Sequence, residues 1–114
     1  MALLERFSLL LKEPKLKKTT LKKLHDVRDE DCWVRLPGGT CDKETVVYAH
    51  YRTARAGFGT GKKGVWGAPA CHRCHDIIDG RVKGFERDFV RLAHAEAVIR
   101  FWERLRCKGF VTLQ

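Results

Sequence analysis

Residues 71–81 read Cys71-His72-Arg73-Cys74-His75-Asp76-Ile77-Ile78-Asp79-Gly80-Arg81. Two cysteines with a two-residue spacer can turn both thiolates toward one tetrahedral ion. Pro69 is tolerated in a first helical turn, so the segment is read as a helix from Ala70 to Asp79 that Gly80 ends. Working outward, the next cysteines are Cys32 and Cys41, whose spacer contains the turn signal Pro37-Gly38-Gly39. A turn there folds the looser pair back on itself. The pattern C-x8-C-x29-C-x2-C therefore predicts a structural zinc site ligated by Cys32, Cys41, Cys71 and Cys74. Disulfides would need an oxidising compartment, and no secretory signal points to one. A redox CxxC would need a thioredoxin-like α/β context, which the pattern lacks. Cys107, in the last helical segment, is read as a core residue.

The chain around this motif has 114 residues, enough for one domain with a short arm. It is 44% hydrophobic and 32% charged, as a folded domain should be. Twenty-three Lys and Arg against 14 acids give a formal net charge of +9. So basic a small domain favours polyanions, nucleic acid first, through phosphate neutralisation. No apolar run is long enough to span a bilayer. The only candidate membrane-surface helix, at the N-terminus, is interrupted by Pro14.

Residues 1–11 predict a short helix burying Leu3, Leu4, Phe7 and Leu11, stopped at Glu13-Pro14. A Lys-rich arm follows, with a helix from Thr20 to Val27 capped by Thr20. Trp33–Leu36, Thr45–Tyr48 and Val65–Ala68 read as short strands, and residues 52–64 as a basic, Gly-rich loop. Phe85, Phe89, Leu92, Ile99, Trp102 and Leu105 predict a long helix whose apolar stripe closes the core, stopped at Lys108-Gly109.

Two further features suggest chemistry. His50 follows a strand and faces a loop carrying Arg52, Arg55, Lys62 and Lys63, a setting that suits a general base beside phosphates. His75 projects from a different face of its helix than the two cysteines. With Asp76 and Asp79 it supplies the ligand types of a hydrolytic divalent metal. His72 lies inside the cysteine spacer, an awkward place for a ligand. His25 and His94 lack metal-like neighbours and are read as surface or core residues.

The order cysteine pair, strand ending in His, loop, CxxCH, helix resembles the ββα-metal fold of HNH (His-Me finger) nucleases with a zinc-knuckle framework. It is similar above all to a small prophage family of HNH variants that includes the RecA-dependent nuclease Ref. The segments that carry the likeness are Cys32-Trp33-Val34-Arg35-Leu36-Pro37-Gly38, Glu44-Thr45-Val46-Val47-Tyr48-Ala49-His50, Gly57-Phe58-Gly59-Thr60-Gly61-Lys62, and Ala68 to Arg81 without His72 and Arg73. The resemblance implies a metal-dependent DNA endonuclease. In it His50 is the base that activates water, His75 binds the catalytic metal, and the four cysteines hold zinc. Two positions depart from the motif. Ala49 stands where a metal-binding Asp or His often precedes the base, and the chain contains no Asn. The catalytic metal, Mg²⁺, Mn²⁺ or another divalent ion, then rests on His75 with Asp76 or Asp79.

These readings combine into an α+β expectation: a small zinc-stapled ββα-metal (HNH-like) core, a long C-terminal helix and a basic N-terminal helical arm. Residues 1–27 form the arm and residues 28–114 the zinc-containing nuclease domain. DNA is the expected partner, contacted by Arg35, Arg52, Arg55, Lys62, Lys63, Arg73 and Arg81. By the resemblance the protein acts in the cytoplasm of a bacterial host, in phage replication or recombination, with a recombinase as a further partner and no membrane. The departures at Ala49 and Asn leave open a zinc-stapled DNA-binding protein without catalysis. An RNA-binding zinc protein is the remaining rival, disfavoured because no aromatic stacking motif is evident.

Overall fold

The computed structural model describes residues 18–52 and 65–109. The helix expected over residues 1–11 and most of the Gly-rich loop lie outside them. Five regular elements follow one another: α1 (Lys18–His25), β1 (Val47–His50), β2 (Gly67–Ala70), α2 (His72–Ile78) and α3 (Arg87–Cys107). A 3-10 turn, Lys43–Thr45, leads into β1. Among the described residues, no helix is long and apolar enough to cross a membrane.

β1 and β2 form a two-stranded antiparallel sheet in which Val47 faces Ala70, Tyr48 faces Pro69, Ala49 faces Ala68 and His50 faces Gly67. Two strands alone are marginal in water, and here the other elements cover them. A side chain at Gly67 would come within 2.6 Å of the Tyr48 ring and 2.7 Å of the Ala49 carbonyl oxygen, so the crossing needs a residue without Cβ. From α3, the Trp102 indole N–H donates to the Gly67 carbonyl at 3.2 Å, and its ring lies 4.6 Å from that of Trp66. Trp33 N–H donates to the Pro69 carbonyl at 2.8 Å, which ties the first cysteine segment to the sheet. The core joins Leu24 and Val27, the Val34–Leu36 segment, the sheet alanines, Ile77 and the inner face of α3.

Several sequence expectations move. Trp33–Leu36 is irregular instead of a strand: Trp33 N–H makes a single bond to β2, at Pro69, and the N–H groups of Arg35 and Leu36 bond to cysteine sulfur. The strand expected at Thr45–Tyr48 runs from Val47 to His50, since Thr45 belongs to the 3-10 turn capped by Asp42. The strand expected at Val65–Ala68 likewise runs two residues later. Pro69 therefore lies in β2 and does not open α2. That helix starts after Cys71, whose sulfur accepts from Cys74 N–H. Gly80 does end it, in the left-handed conformation (φ +78°) that favours glycine. Thr20 sits inside α1 instead of capping it.

The long helix is real, but only Trp102 and Leu105 of the apolar stripe expected on it lie on its buried face. Phe89, Leu92 and Ile99 are 46%, 59% and 68% exposed, whereas Val90, His94, Ala97, Val98, Phe101, Trp102 and Leu105 are buried. Residues three apart fall about 60° short of a full helical turn. A row that advances mostly by threes therefore winds around the helix instead of holding one side. The buried set alternates steps of three and four and stays on one side. Cys107, expected in the core, is exposed beside Glu103.

Trp102 and Ile99 separate the two readings of α3. Trp102→Ala should lower unfolding free energy in urea by about 3–5 kcal/mol, while Ile99→Ala should stay within about 0.5 kcal/mol of wild type.

Candidate functional site

The two cysteine pairs meet. One ligand atom from each of Cys32, Cys41, Cys71 and Cys74 lies within 4.8 Å of all the others. Cys41 Sγ and Cys74 Sγ are 3.8 Å apart, which is about the edge of a tetrahedron with metal–sulfur bonds of about 2.3 Å. The polypeptide surrounds these sulfurs with donors. Arg35 N–H donates to Cys32 Sγ at 3.4 Å, Leu36 N–H to Cys74 Sγ at 3.3 Å, and Cys74 N–H to Cys71 Sγ at 3.5 Å. To make the first of these bonds Arg35 adopts φ 48°, unusual for a residue with a side chain. The Arg73 guanidinium closes the cluster. It bonds to the carbonyls of Leu36, Pro37 and Gly39 and lies 3.7 Å from Cys41 Sγ.

These surroundings favour thiolate at Cys32 and oppose it at Cys74 and, through burial, at Cys41. The Cys32 thiol is held down to about 4, chiefly by the hydrogen bond from Cys74 and against the penalty of burial. Cys74 is pushed up by the same bond. One sulfur carrying charge while its neighbour donates a proton to it is the behaviour of a close thiol group that one thiophilic ion, such as zinc, would neutralise. Burial opposes the charge on Arg73, but its hydrogen bond to Cys41 and its nearness to the cysteine group outweigh that and raise its affinity for a proton.

A second group assembles around the last residue of β1 and the helix α2. Tyr48, His50, Arg52, His75, Asp79 and Arg81 line one hollow of about 390 Å³. His50 is the last residue of β1, and His75 lies one turn into α2. The β1–β2–α2 order thus brings a strand-end histidine and a helix histidine to the same space. His75 Nδ1 lies 3.5 Å from Asp79 Oδ2. Asp76 is not part of this lining. It is paired with His72 at 3.2 Å and with Arg81 at 3.1 Å. Arg81 also reaches Asp79 at 3.8 Å.

The remaining expected residues divide. Arg35 lines a separate hollow beside the cysteines and donates to the Cys32 carbonyl at 2.9 Å. Arg73 is engaged by the cysteine loop as described above. Arg55, Lys62 and Lys63 lie outside the described residues. Two histidines with no metal-like neighbours in sequence prove to border the site. The His25 ring is 5.1 Å from that of His50 and 5.0 Å from that of Tyr48. His94, buried on α3, hydrogen-bonds through Nε2 to the Ala49 carbonyl at 3.0 Å and lines an adjoining cleft with His50 and Asp79. Neither contact has a signal in local spacing, because α1 and α3 reach the hairpin only through tertiary packing.

The family model described as "Putative nuclease YbcO" matches residues 20–110. A solved structure, "Structure of a putative bacteriophage protein from Escherichia coli str. K-12 substr. MG1655", is similar at 28% identity and a TM-score of 0.60. The match covers 75% of this chain and 96% of that one. No curated protein matches the chain.

Two measurements check the site. The purified protein should contain one zinc per chain. Its removal by a chelator should collapse the near-ultraviolet circular dichroism and lower the melting temperature, because site formation and folding are coupled; Cys41→Ser should weaken retention of the ion. His94 gives a pH dependence. Burial, aided by Arg91 and His75, holds it below the ordinary value of 6.5 against the Ala49 hydrogen bond. The unfolded chain therefore takes up this proton first as pH falls. The stability is whole above about pH 6.5 and is lost as pH drops through the folded value. Between pH 7.5 and 5.5 the urea midpoint of wild type should fall more than that of His94→Gln.

Proposed function

The chain belongs to the YbcO family, and on that premise we propose that it is a metal-dependent DNA endonuclease of the HNH type, phage or prophage encoded. The observation that carries this reading is the convergence of His50 and His75, with Asp79, Arg52 and Arg81, on one hollow beside the last residue of β1. Phosphodiester hydrolysis needs a base to deprotonate water, positive charge for the phosphate, and a way to stabilise the leaving oxygen. His50 supplies the base, and it is half-buried, so its imidazole meets both the hollow and solvent. Arg52 and Arg81 border the same space and suit phosphate oxygens. His75 and Asp79 are donors of the right kind for a hydrated divalent ion, which keeps most of its waters and takes few protein ligands. Bound there, such an ion would act as a Lewis acid toward the phosphate. Asp79, beside His75 Nδ1, is placed to orient the ring and leave Nε2 for the ion.

The cysteine cluster, read as a structural zinc site, has no part in the chemistry. It holds the start of α2 and so sets where His75 points. The phage setting is supported by the matched bacteriophage protein, while a recombinase partner is carried by the resemblance to the Ref-containing family alone. Ala49 favours the second reading, a DNA-binding protein without catalysis. It is 1% exposed and its carbonyl is taken by His94, so it offers the hollow no ligand.

Supercoiled plasmid nicking separates the two. Wild type should convert plasmid to open circle with Mg²⁺ or Mn²⁺. His50→Ala and His75→Ala should each reduce the rate by at least about 100-fold, the scale of a lost general base, with duplex affinity retained. Binding without nicking under every divalent metal would establish the non-catalytic reading instead.

A further inference from the structure

Helix α1 stands apart from the hairpin and α2 in sequence, yet it borders the site. Its sequence is KTTLKKLH, with no acid. Leu24 is buried in the core and Leu21 packs against it, so Lys22, Lys23 and His25 are left facing solvent. These three and Asp26 line a hollow of about 460 Å³. His25 is the hinge between this hollow and the one at His50. It lines the first, and its ring rests against Tyr48 and, edge-on, against His50, which line the second.

The electrostatics of this surface are one-sided. Its one carboxylate, Asp26, is held by the Arg28 guanidinium through two hydrogen bonds of 2.8 and 2.9 Å, and the Asp26 carboxyl is lowered accordingly. Neither Lys22 nor Lys23 takes part in an ion pair among the described residues. Two lysines beside a neutralised acid, joined through the His25 ring to the hollow that Arg52 borders, form a strip of positive charge along which consecutive phosphates could lie, while Arg81 on the α2 side is paired with Asp76 and Asp79.

We propose that α1 is a wall of the substrate groove, with Lys22 and Lys23 gripping the DNA backbone on the side of the scissile phosphate away from α2. This rests on the nuclease or DNA-binding reading above and extends it to a surface that neither motif includes. Lys22 and Lys23 contact phosphates alone, so they add affinity uniformly across sequences. His25 bridges the grip and the reacting end.

The test is fluorescence anisotropy of the full-length protein with a 20-base-pair duplex, without added Mg²⁺ or Mn²⁺, across a salt series. Lys22→Gln/Lys23→Gln is compared with Lys83→Gln/Lys108→Gln, which removes the same charge from exposed positions elsewhere. The first pair should weaken binding about tenfold to a hundredfold at 0.1 M salt and reduce the log–log salt slope by about 1–2. The second should leave the slope unchanged. An equal loss from both pairs would overturn the α1 groove while leaving the nuclease reading standing. No binding by wild type would overturn both. Unchanged circular dichroism in each variant shows that lost binding is not lost fold.

Discussion

Four cysteine sulfurs within 4.8 Å of one another are the constraint on which the rest of this small protein hangs. Cys41 and Cys74 lie 33 positions apart in the chain, and their approach pins the irregular Cys32–Cys41 loop onto the first turn of α2. The loop has no regular structure of its own and exists because its backbone N–H groups point at sulfur and its carbonyls at Arg73. A two-stranded sheet cannot hold such a loop by itself. A chain this short buries limited apolar area, so a metal staple is the expected remedy.

What the staple fixes is also what positions the hollow. Cys71 caps α2 and Cys74 anchors it, so the next residue, His75, leaves the cluster on the other face and meets the end of β1. On the far side of the sheet, α3 holds the hairpin at two carbonyls. Trp102 bonds to Gly67, and His94 bonds to Ala49, next to the candidate base. His50 is therefore held between a helix anchored by the cysteine cluster and a helix secured by buried hydrogen bonds, an arrangement in which a base can be kept oriented without a rigid sheet beneath it.

The cysteine cluster was legible in the sequence because cysteine spacing is a local rule with few alternatives, and the strand–loop–helix order of the hairpin was legible for a similar reason. The registers were not. Each strand lies two residues further along than composition suggested, since the bonds that end a strand come from partners elsewhere in the chain. Pro69 illustrates this: locally it reads as a helix opener, but it sits in β2, where its carbonyl receives Trp33 N–H. The inner face of α3 was misread because Phe89, Leu92 and Ile99 are apolar yet outward. The faces of a long helix differ by the exact step pattern, and a polar residue, His94, occupies the inward side.

The sequence by itself determined the four clustered cysteines, the basic character, the helix at CxxC and the two histidines of the hollow. Each of these is written in residues close together or in chemically distinctive types. Only the tertiary structure decided that α1 rests the His25 ring against Tyr48 and His50 at the border of that hollow, that His94 holds Ala49, and that Asp79 lines the hollow while Asp76 pairs with His72 and Arg81. These depend on which faces pack together, and a face is chosen by the summed burial of distant side chains instead of by any one stretch of the chain.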